Sequence, residues 1–309
     1  MAHKWDLDPA KLINFLARVE ERYLDNPYHN STHAADVLQT TYFFLKTGEA
    51  EKLMSEMEIL AILLAAIVHD VEHDGMSNDY HKAMLTDRAL VHNSSSVQER
   101  NHIARVYLMM AEDETLRFME GMRHEAYMSL RATLISLVLG TDMSLHFVNL
   151  KEFSAAAEEC RDSADLWGAK ERYKDMLMWA VLHSADISAQ AKPWPNFVRW
   201  SDRCYDEFFR QGEVETANGM PVSPMCDRGT TKIPQSQVGF VTFVVLPMFQ
   251  ALERVCPIIK ESVMPVLESN LEYWTKETST PSQSSKFASG GPNYRHEGAA
   301  CTSTGTGNL

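Results

Sequence analysis

Cysteine is scarce in this chain. The five residues Cys160, Cys204, Cys226, Cys256 and Cys301 are scattered, odd in number, and form no Cys-x-x-Cys pair. That pattern suits a reducing cytosol better than a disulfide framework. Basic residues are also short, 29 Lys and Arg against 42 Asp and Glu, for a formal charge of −13. Such a balance argues against a nucleic-acid backbone or an anionic membrane as partner. An anionic substrate would then need a bound metal to attract it. The opening Met-Ala-His-Lys-Trp-Asp lacks an apolar core, so no signal peptide is visible. The longest apolar runs, 59–68 and 238–249, fall short of the ~20 residues that span a bilayer. The expectation is a soluble, cytoplasmic chain with no transmembrane segment. Period-two alternation and internal repeats are missing too, which leaves an all-α protein.

The stretch Ile59–Gly75 organises what is present. Ten apolar residues run into His69 and Asp70, and His73 follows four positions after His69. A helix apolar on all sides is buried, so its polar end must lie deep in the protein, with something to pair each charge. Imidazole beside carboxylate is a donor set for a divalent metal, and equally a hydrogen-bonded polar core cluster. It is not the His-Glu-x-x-His of zinc proteases, because an aspartate follows the first histidine. A second pair, His29 and His33, has the same spacing just after the break Asp25-Asn26-Pro27 and near a helix start.

Along the rest of the chain, Asp8-Pro9 reads as a capped helix start, with helix to about Tyr23. Helical spacing continues over 77–90 and 95–110, with Ser94 to Ser96 as a cap region. Glu99 and His102 in that second stretch read as ordinary surface residues. A helix over 127–139 ends at Gly140, and Thr141-Asp142 caps a long helix to about Leu166. Tyr173 to Val181 leads into His183-Ser-Ala-Asp186, a second polar cluster ending a buried run. Helix is expected over 196–212, a loop over 219–229, and a buried helix from Gln235. Propensity alone would make that last segment a strand, but Pro247 would interrupt a sheet. Helix then runs from Leu252 to about Trp274. Residues 1–276 read as one domain, and the Ser-, Thr- and Gly-rich 277–309 as a disordered tail.

Tyr28-His29-Asn30 with His33, His69-Asp70-x-x-His73 and Asp186 together resemble the catalytic domain of class I 3′,5′-cyclic nucleotide phosphodiesterases, within the wider HD metal-hydrolase group. The Ser-Val-Gln-Glu99 run, Gly140-Thr141-Asp142-Met143, Phe208 to Gly212, Ser223 to Asp227 and Ser236-Gln237-Val238-Gly239-Phe240 match in order, over roughly 10–275. Where the family usually has Pro-Gly after Asp-x-x-His, this chain has Asp74-Gly75. Family domains usually carry further helices upstream, so a truncated N-terminal subdomain is expected.

The resemblance implies a compact multi-helix fold around a deep two-metal pocket, and hydrolysis of the 3′-phosphoester of cAMP and cGMP. It implies that His33, His69, Asp70 and Asp186 bind Zn²⁺, and that Asp70 bridges to Mg²⁺ or Mn²⁺. His73, Glu99 and Thr141 would hold the second metal's waters, with His73 counted among the catalytic residues. A hydroxide between the cations would attack, and His29 would protonate the departing O3′. Gln237 would bond the purine edge, Phe240 would stack on its face opposite Cys204, and Tyr28, Phe197, Trp200 and Met225 would line the base pocket. Two alternatives remain at this point: another HD-type nucleotidase or nucleotide polyphosphate hydrolase, or a cyclic-nucleotide-binding pseudoenzyme.

Overall fold

The computed structural model describes residues 4–161, 166–167 and 170–278. Cys301 and nearly all of the expected tail lie outside the described residues. The last helix reaches Thr278, two residues past the expected boundary.

Among the described residues, thirteen α-helices with short 3₁₀ and π-helical turns account for the order of the fold, and no strand occurs. Helix α1 (Pro9–Arg22) starts as read, with the Asp8 carboxylate accepting from Ala10 and Lys11. Helix α2 (Ser31–Lys46) is capped by Asn30, which accepts from the amides of Thr32 and His33. Helix α3 (Glu56–Val68) carries the ten-residue apolar run. Its start is a capping box, in which Ser55 and Glu58 satisfy each other's backbone amides. Leu60, Ala61, Ile62, Leu64, Ala65, Ala66 and Val68 are all buried, and α3 packs against α2 and α7 (His124–Leu139). Replacing the cap, Ser55→Ala, should lower unfolding stability by about 1 kcal/mol. A denaturant melt with an unchanged midpoint would mean that tertiary packing alone fixes this end.

Four boundaries differ from the sequence reading. The expected helix over 77–90 is two, α4 (Asn78–Met84) and α5 (Asp87–Val91). Leu85, at φ 48°, breaks them, and the Thr86 side chain starts the second. Helix α6 (Val97–Glu112) has no side-chain cap. Ser96 sits at φ 42° and instead donates its hydroxyl to Asp142. Asp142 caps only the short turn Met143–Leu145, and α8 (His146–Glu159) stops before Cys160, well short of Leu166. The segment after Leu252 is also interrupted, with a π-helical turn Ile259–Val263 before α13 (Met264–Thr278).

Helix α9 (Glu171–Asp186) packs against α2, α3, α7 and α8, which brings Asp186 under the end of α3. Helix α10 (Trp194–Ala217) follows. The Val- and Phe-rich run is helical, as expected. It forms α11 (Ile233–Phe240), a π-helical turn Val241–Val245 and α12 (Leu246–Leu252). That 20-residue stretch, Ile233–Leu252, would cross a membrane by length and composition, a test that core helices also pass, and Val241, Val245, Met248, Phe249, Ala251 and Leu252 along it are buried in the fold. Here Gln237 is buried against α10, where it donates to Ser201. The four cysteines among the described residues are all free thiols.

Candidate active site

The polar end of α3 lies buried, as its apolar body requires: His69 is 1% exposed and Asp70 9%. The helix stops at Val68, however, and His73 lies in the turn beyond it, between Glu72 and Gly75, which both take positive φ. His29 likewise precedes its helix. Neither four-residue histidine pair therefore shares a helical face. Each pair is split between two clusters.

The first cluster joins His33, His69, Asp70 and Asp186, whose ligand atoms all lie within 4.8 Å of one another. His33 Nε2 is 3.0 Å from Asp186 Oδ1, and His69 Nε2 is 3.1 Å from Asp70 Oδ2. His69 Nδ1 lies 3.1 Å from the Ala66 carbonyl, so its proton points there and Nε2 faces inward. Burial opposes charge on both aspartates, yet the adjacent His69 holds each carboxyl well below its usual range. Burial alone would push His69 down, but Asp70 and Asp186 pull it well up. Two buried carboxylates thus demand a positive charge between them. His69 Nε2 moreover faces both carboxylates, Asp70 Oδ2 and Asp186 Oδ1 at 3.4 Å. Two nitrogens and two oxygens converging with that demand fit a divalent metal ion.

The second cluster is His29, His73 and Glu207. The rings of His29 and His73 stack with centroids 3.9 Å apart. His29 Nδ1 hydrogen-bonds Glu207 Oε1, while Glu207 Oε2 accepts from the amides of Tyr28 (2.9 Å) and His29 (3.0 Å). Burial lowers the His29 imidazolium, but the Glu207 carboxylate overcomes that and raises it to about 9. Burial raises Glu207 in turn, and His29 brings it down to about 2. His73, buried beside that cation, is held well below its ordinary value and accepts from Gly75 N through Nδ1. The pair is a cationic imidazole locked to a carboxylate, with a neutral imidazole stacked on it.

Three residues outside the sequence reading complete the site. Glu207 orients His29. Asn26 Nδ2 donates to the carbonyls of both His29 and His73, tying their turns together. His102, read as surface, is 1% exposed. Its Nδ1 lies 2.7 Å from the Val71 carbonyl, and its unpartnered Nε2 lies 3.8 Å from Asp70 Oδ1. Glu207 carried a detectable signal, since it shares four-residue spacing with Gln211 and Glu215 on the buried face of α10.

The remaining candidates divide. Glu99 is held by Asn78 Nδ2 (2.9 Å), and burial pushes its carboxyl up to about 7. Thr141 bonds back to the Val138 carbonyl. Tyr28 and Trp200 pack edge-on to one another, and both rings contact His33. Gln237 donates to Ser201 Oγ at 3.1 Å, leaving Oε1 buried without a partner. Cys204 and Phe240 are half-buried, and Met225 stands on the 219–229 loop at φ 66° and 46% exposed. Phe197 is a correction. It is fully buried between Trp194 and Trp274 in a separate aromatic cluster, so it has no free surface to line a base pocket.

A helical bundle whose buried end gathers two histidines and two aspartates, beside a histidine–glutamate pair, offers a donor set that could hold a metal ion. The chain belongs to the 3′5′-cyclic nucleotide phosphodiesterase family, whose model matches residues 28–266. It is 40% identical over 275 residues to a dual specificity calcium/calmodulin-dependent 3′,5′-cyclic nucleotide phosphodiesterase 1B of Cricetulus griseus. That alignment covers 88% of this chain and 48% of the relative, so the chain spans about half of that protein's length. Among solved structures, LmjPDEB1 in complex with IBMX superposes with a TM-score of 0.82 at 27% identity, covering 90% of this chain and 82% of that one. The phosphodiesterase domain of the RhoPDE fusion protein from the choanoflagellate Salpingoeca rosetta gives 0.81 at 30% identity, covering 90% and 86%.

Proposed function

We propose that the chain hydrolyses the 3′-phosphoester of cyclic nucleotides to 5′-nucleoside monophosphates. The carrying observation is the adjacency of a metal-suited cluster to a cationic histidine clamped by a buried glutamate. His33, His69, Asp70 and Asp186 would hold the first metal, Zn²⁺ by its nitrogen and oxygen donors, with Asp70 shared by a second, Mg²⁺ or Mn²⁺. When bound, such cations polarise water and neutralise phosphate charge. The protein's own part is proton delivery. Glu207 keeps His29 charged and fixes its ring, so that Nε2 can protonate the departing O3′. Acid catalysis of this kind typically contributes ~10²–10⁴-fold. His73 stacks on His29 as a neutral base. The histidine that donates is therefore the one the glutamate holds. An assay of purified chain with divalent metal, resolving 5′-AMP from 3′-AMP, tests the reaction. The 3′ isomer, or binding without turnover, would count against it.

For the base, an amide serves adenine or guanine according to which way its oxygen and nitrogen face. The partner holding Gln237 is the hydroxyl of Ser201, which can accept from the amide NH₂ or donate to the amide oxygen. Neither orientation is enforced. Ala189, two residues past Ile187 and buried, offers no side-chain hydrogen bond of its own. We therefore expect cleavage of both cAMP and cGMP, with kcat/KM values within roughly 100-fold, the range of pockets that discriminate by shape. Ala189→Asn should move the ratio towards cAMP in a competition assay. An unmoved ratio would place selectivity elsewhere. The named relative described as dual specificity favours the same reading.

A further inference from the structure

Three buried polar side chains follow one another at four-residue spacing along α10: Glu207, Gln211 and Glu215. Each grips a different segment. Glu207 holds the turn at Tyr28 and His29. Gln211 Oε1 accepts from the Ser77 amide at 2.8 Å, at the start of α4. Glu215 reaches the loop over 219–229. Its Oε2 accepts from the Ser223 amide at 2.7 Å, and its Oε1 accepts from the Ser223 hydroxyl at 2.6 Å and from Gln211 Nε2 at 2.7 Å. Burial pushes the Glu215 carboxyl up, yet these donors hold it below its ordinary value. A buried carboxylate is costly without such bonds.

The segment that Glu215 grips is itself constrained. The Cys226 amide donates to the Ser223 carbonyl at 3.0 Å, closing the turn Ser223-Pro224-Met225-Cys226. Proline in second place and a positive φ in third match a type II turn. Glycine usually takes that third place, but here Met225 holds it at φ 66°. Such strain persists only where the surroundings outweigh it. The far end of the turn presses on the same helix, since a Cβ on Gly212 would fall 2.0 Å from the Cys226 carbonyl oxygen. Burial, then Glu207 and Cys226, push up the Cys204 thiol, which sets the turn beside that base-pocket candidate.

We propose that Glu215 is a positioning residue for the substrate: by gripping Ser223 it sets the 223–226 turn so that Met225 forms a fixed wall of the base pocket. This role rests on the phosphodiesterase reading and on Met225 as a base-pocket residue. An amide cannot stand in for the carboxylate. Whichever way a glutamine lies there, its NH₂ faces either the Ser223 amide or Gln211 Nε2, and one buried donor loses its acceptor.

Glu215→Gln and the milder Ser223→Ala test it in the full chain. Trypsin cleavage after Arg228, an exposed residue of the loop, reads the hold on that loop without any turnover. Loss of hydrogen bonds to a charged group should quicken this cleavage about ten-fold or more in Glu215→Gln, and about three-fold in Ser223→Ala. With cAMP, KM should rise about five- to ten-fold in Glu215→Gln at little-changed kcat, the mark of binding lost equally in ground and transition states. The pH profile of kcat should not move. If Glu215→Gln fails to fold, Ser223→Ala is expected to show both changes on a smaller scale. Unchanged cleavage would mean that the carboxylate does not hold the loop. Faster cleavage at unchanged KM would mean that the loop does not hold the base. Either result overturns the proposal. A parent chain without turnover would overturn the functional reading and the substrate role with it, while cleavage after Arg228 would still report the anchor.

Discussion

Asp186→Ala should abolish turnover by emptying the metal cluster. Asp186 Oδ1 faces both His33 Nε2 (3.0 Å) and His69 Nε2 (3.4 Å), so it is the carboxylate that draws the two imidazoles together. Without it, one buried carboxylate remains, and the demand for a cation falls by half. Loss of partners that merely orient metal ligands typically costs ~10–100-fold in affinity or activity, so loss of a ligand should exceed that. Metal analysis of the folded variant is expected to show well under one equivalent. A full equivalent bound to an inactive variant would mean that Asp186 acts on the substrate and not on the metal.

Glu207→Gln should change the pH dependence more than the affinity. His29 must be protonated to act as an acid, so kcat falls as pH rises through its pKa. Burial lowers that pKa, and the Glu207 carboxylate, with smaller help from Asp70 and Asp186, brings it to about 9. With a neutral amide in place of the carboxylate, the largest opposing influence on burial is lost and the alkaline limb should move to lower pH. At neutral pH kcat should drop by about 10²–10⁴, the contribution of the acid itself, with KM little changed. His29→Asn should match that loss on cAMP. It should lose far less on a 4-nitrophenyl phosphodiester, whose leaving group needs no proton. An alkaline limb that stays put in Glu207→Gln would show that the glutamate positions Tyr28 and His29 through their amides without setting the proton.

Which parts of this site the sequence revealed follows from where its polar residues stand. His69 and Asp70 end an apolar run, and Asp186 ends another, so burial forces them together in any compact helical fold. The same logic could not say that α3 stops at Val68, because that boundary depends on tertiary contacts as well as propensity. The four-residue spacing of His69 and His73 would suit one helical face, yet they belong to two clusters. His102 reads as surface, and Glu207 and Asn26 gain no role from the sequence, for a related reason. A lone polar residue in an amphipathic helix or a turn looks solvated until the partner is known, and the partners lie 178, 47 and 31 residues away in sequence. Phe197 failed in the opposite direction. Its helix was read correctly, but Trp274 of α13 covers it. The breaks at Leu85 and Ser96 were hidden because left-handed conformations there fall on residues other than glycine.

The central claim is that the buried two-histidine, two-aspartate cluster holds the metal that hydrolysis needs, and one measurement bears on it directly. Bound zinc and release of 5′-AMP from cAMP would be followed together in the purified chain as a chelator strips the metal and zinc with magnesium restores it. The account predicts that turnover falls in proportion to metal bound and returns on reconstitution, with 5′-AMP the sole product. Undiminished turnover in metal-free protein, or none in fully loaded protein, would contradict it.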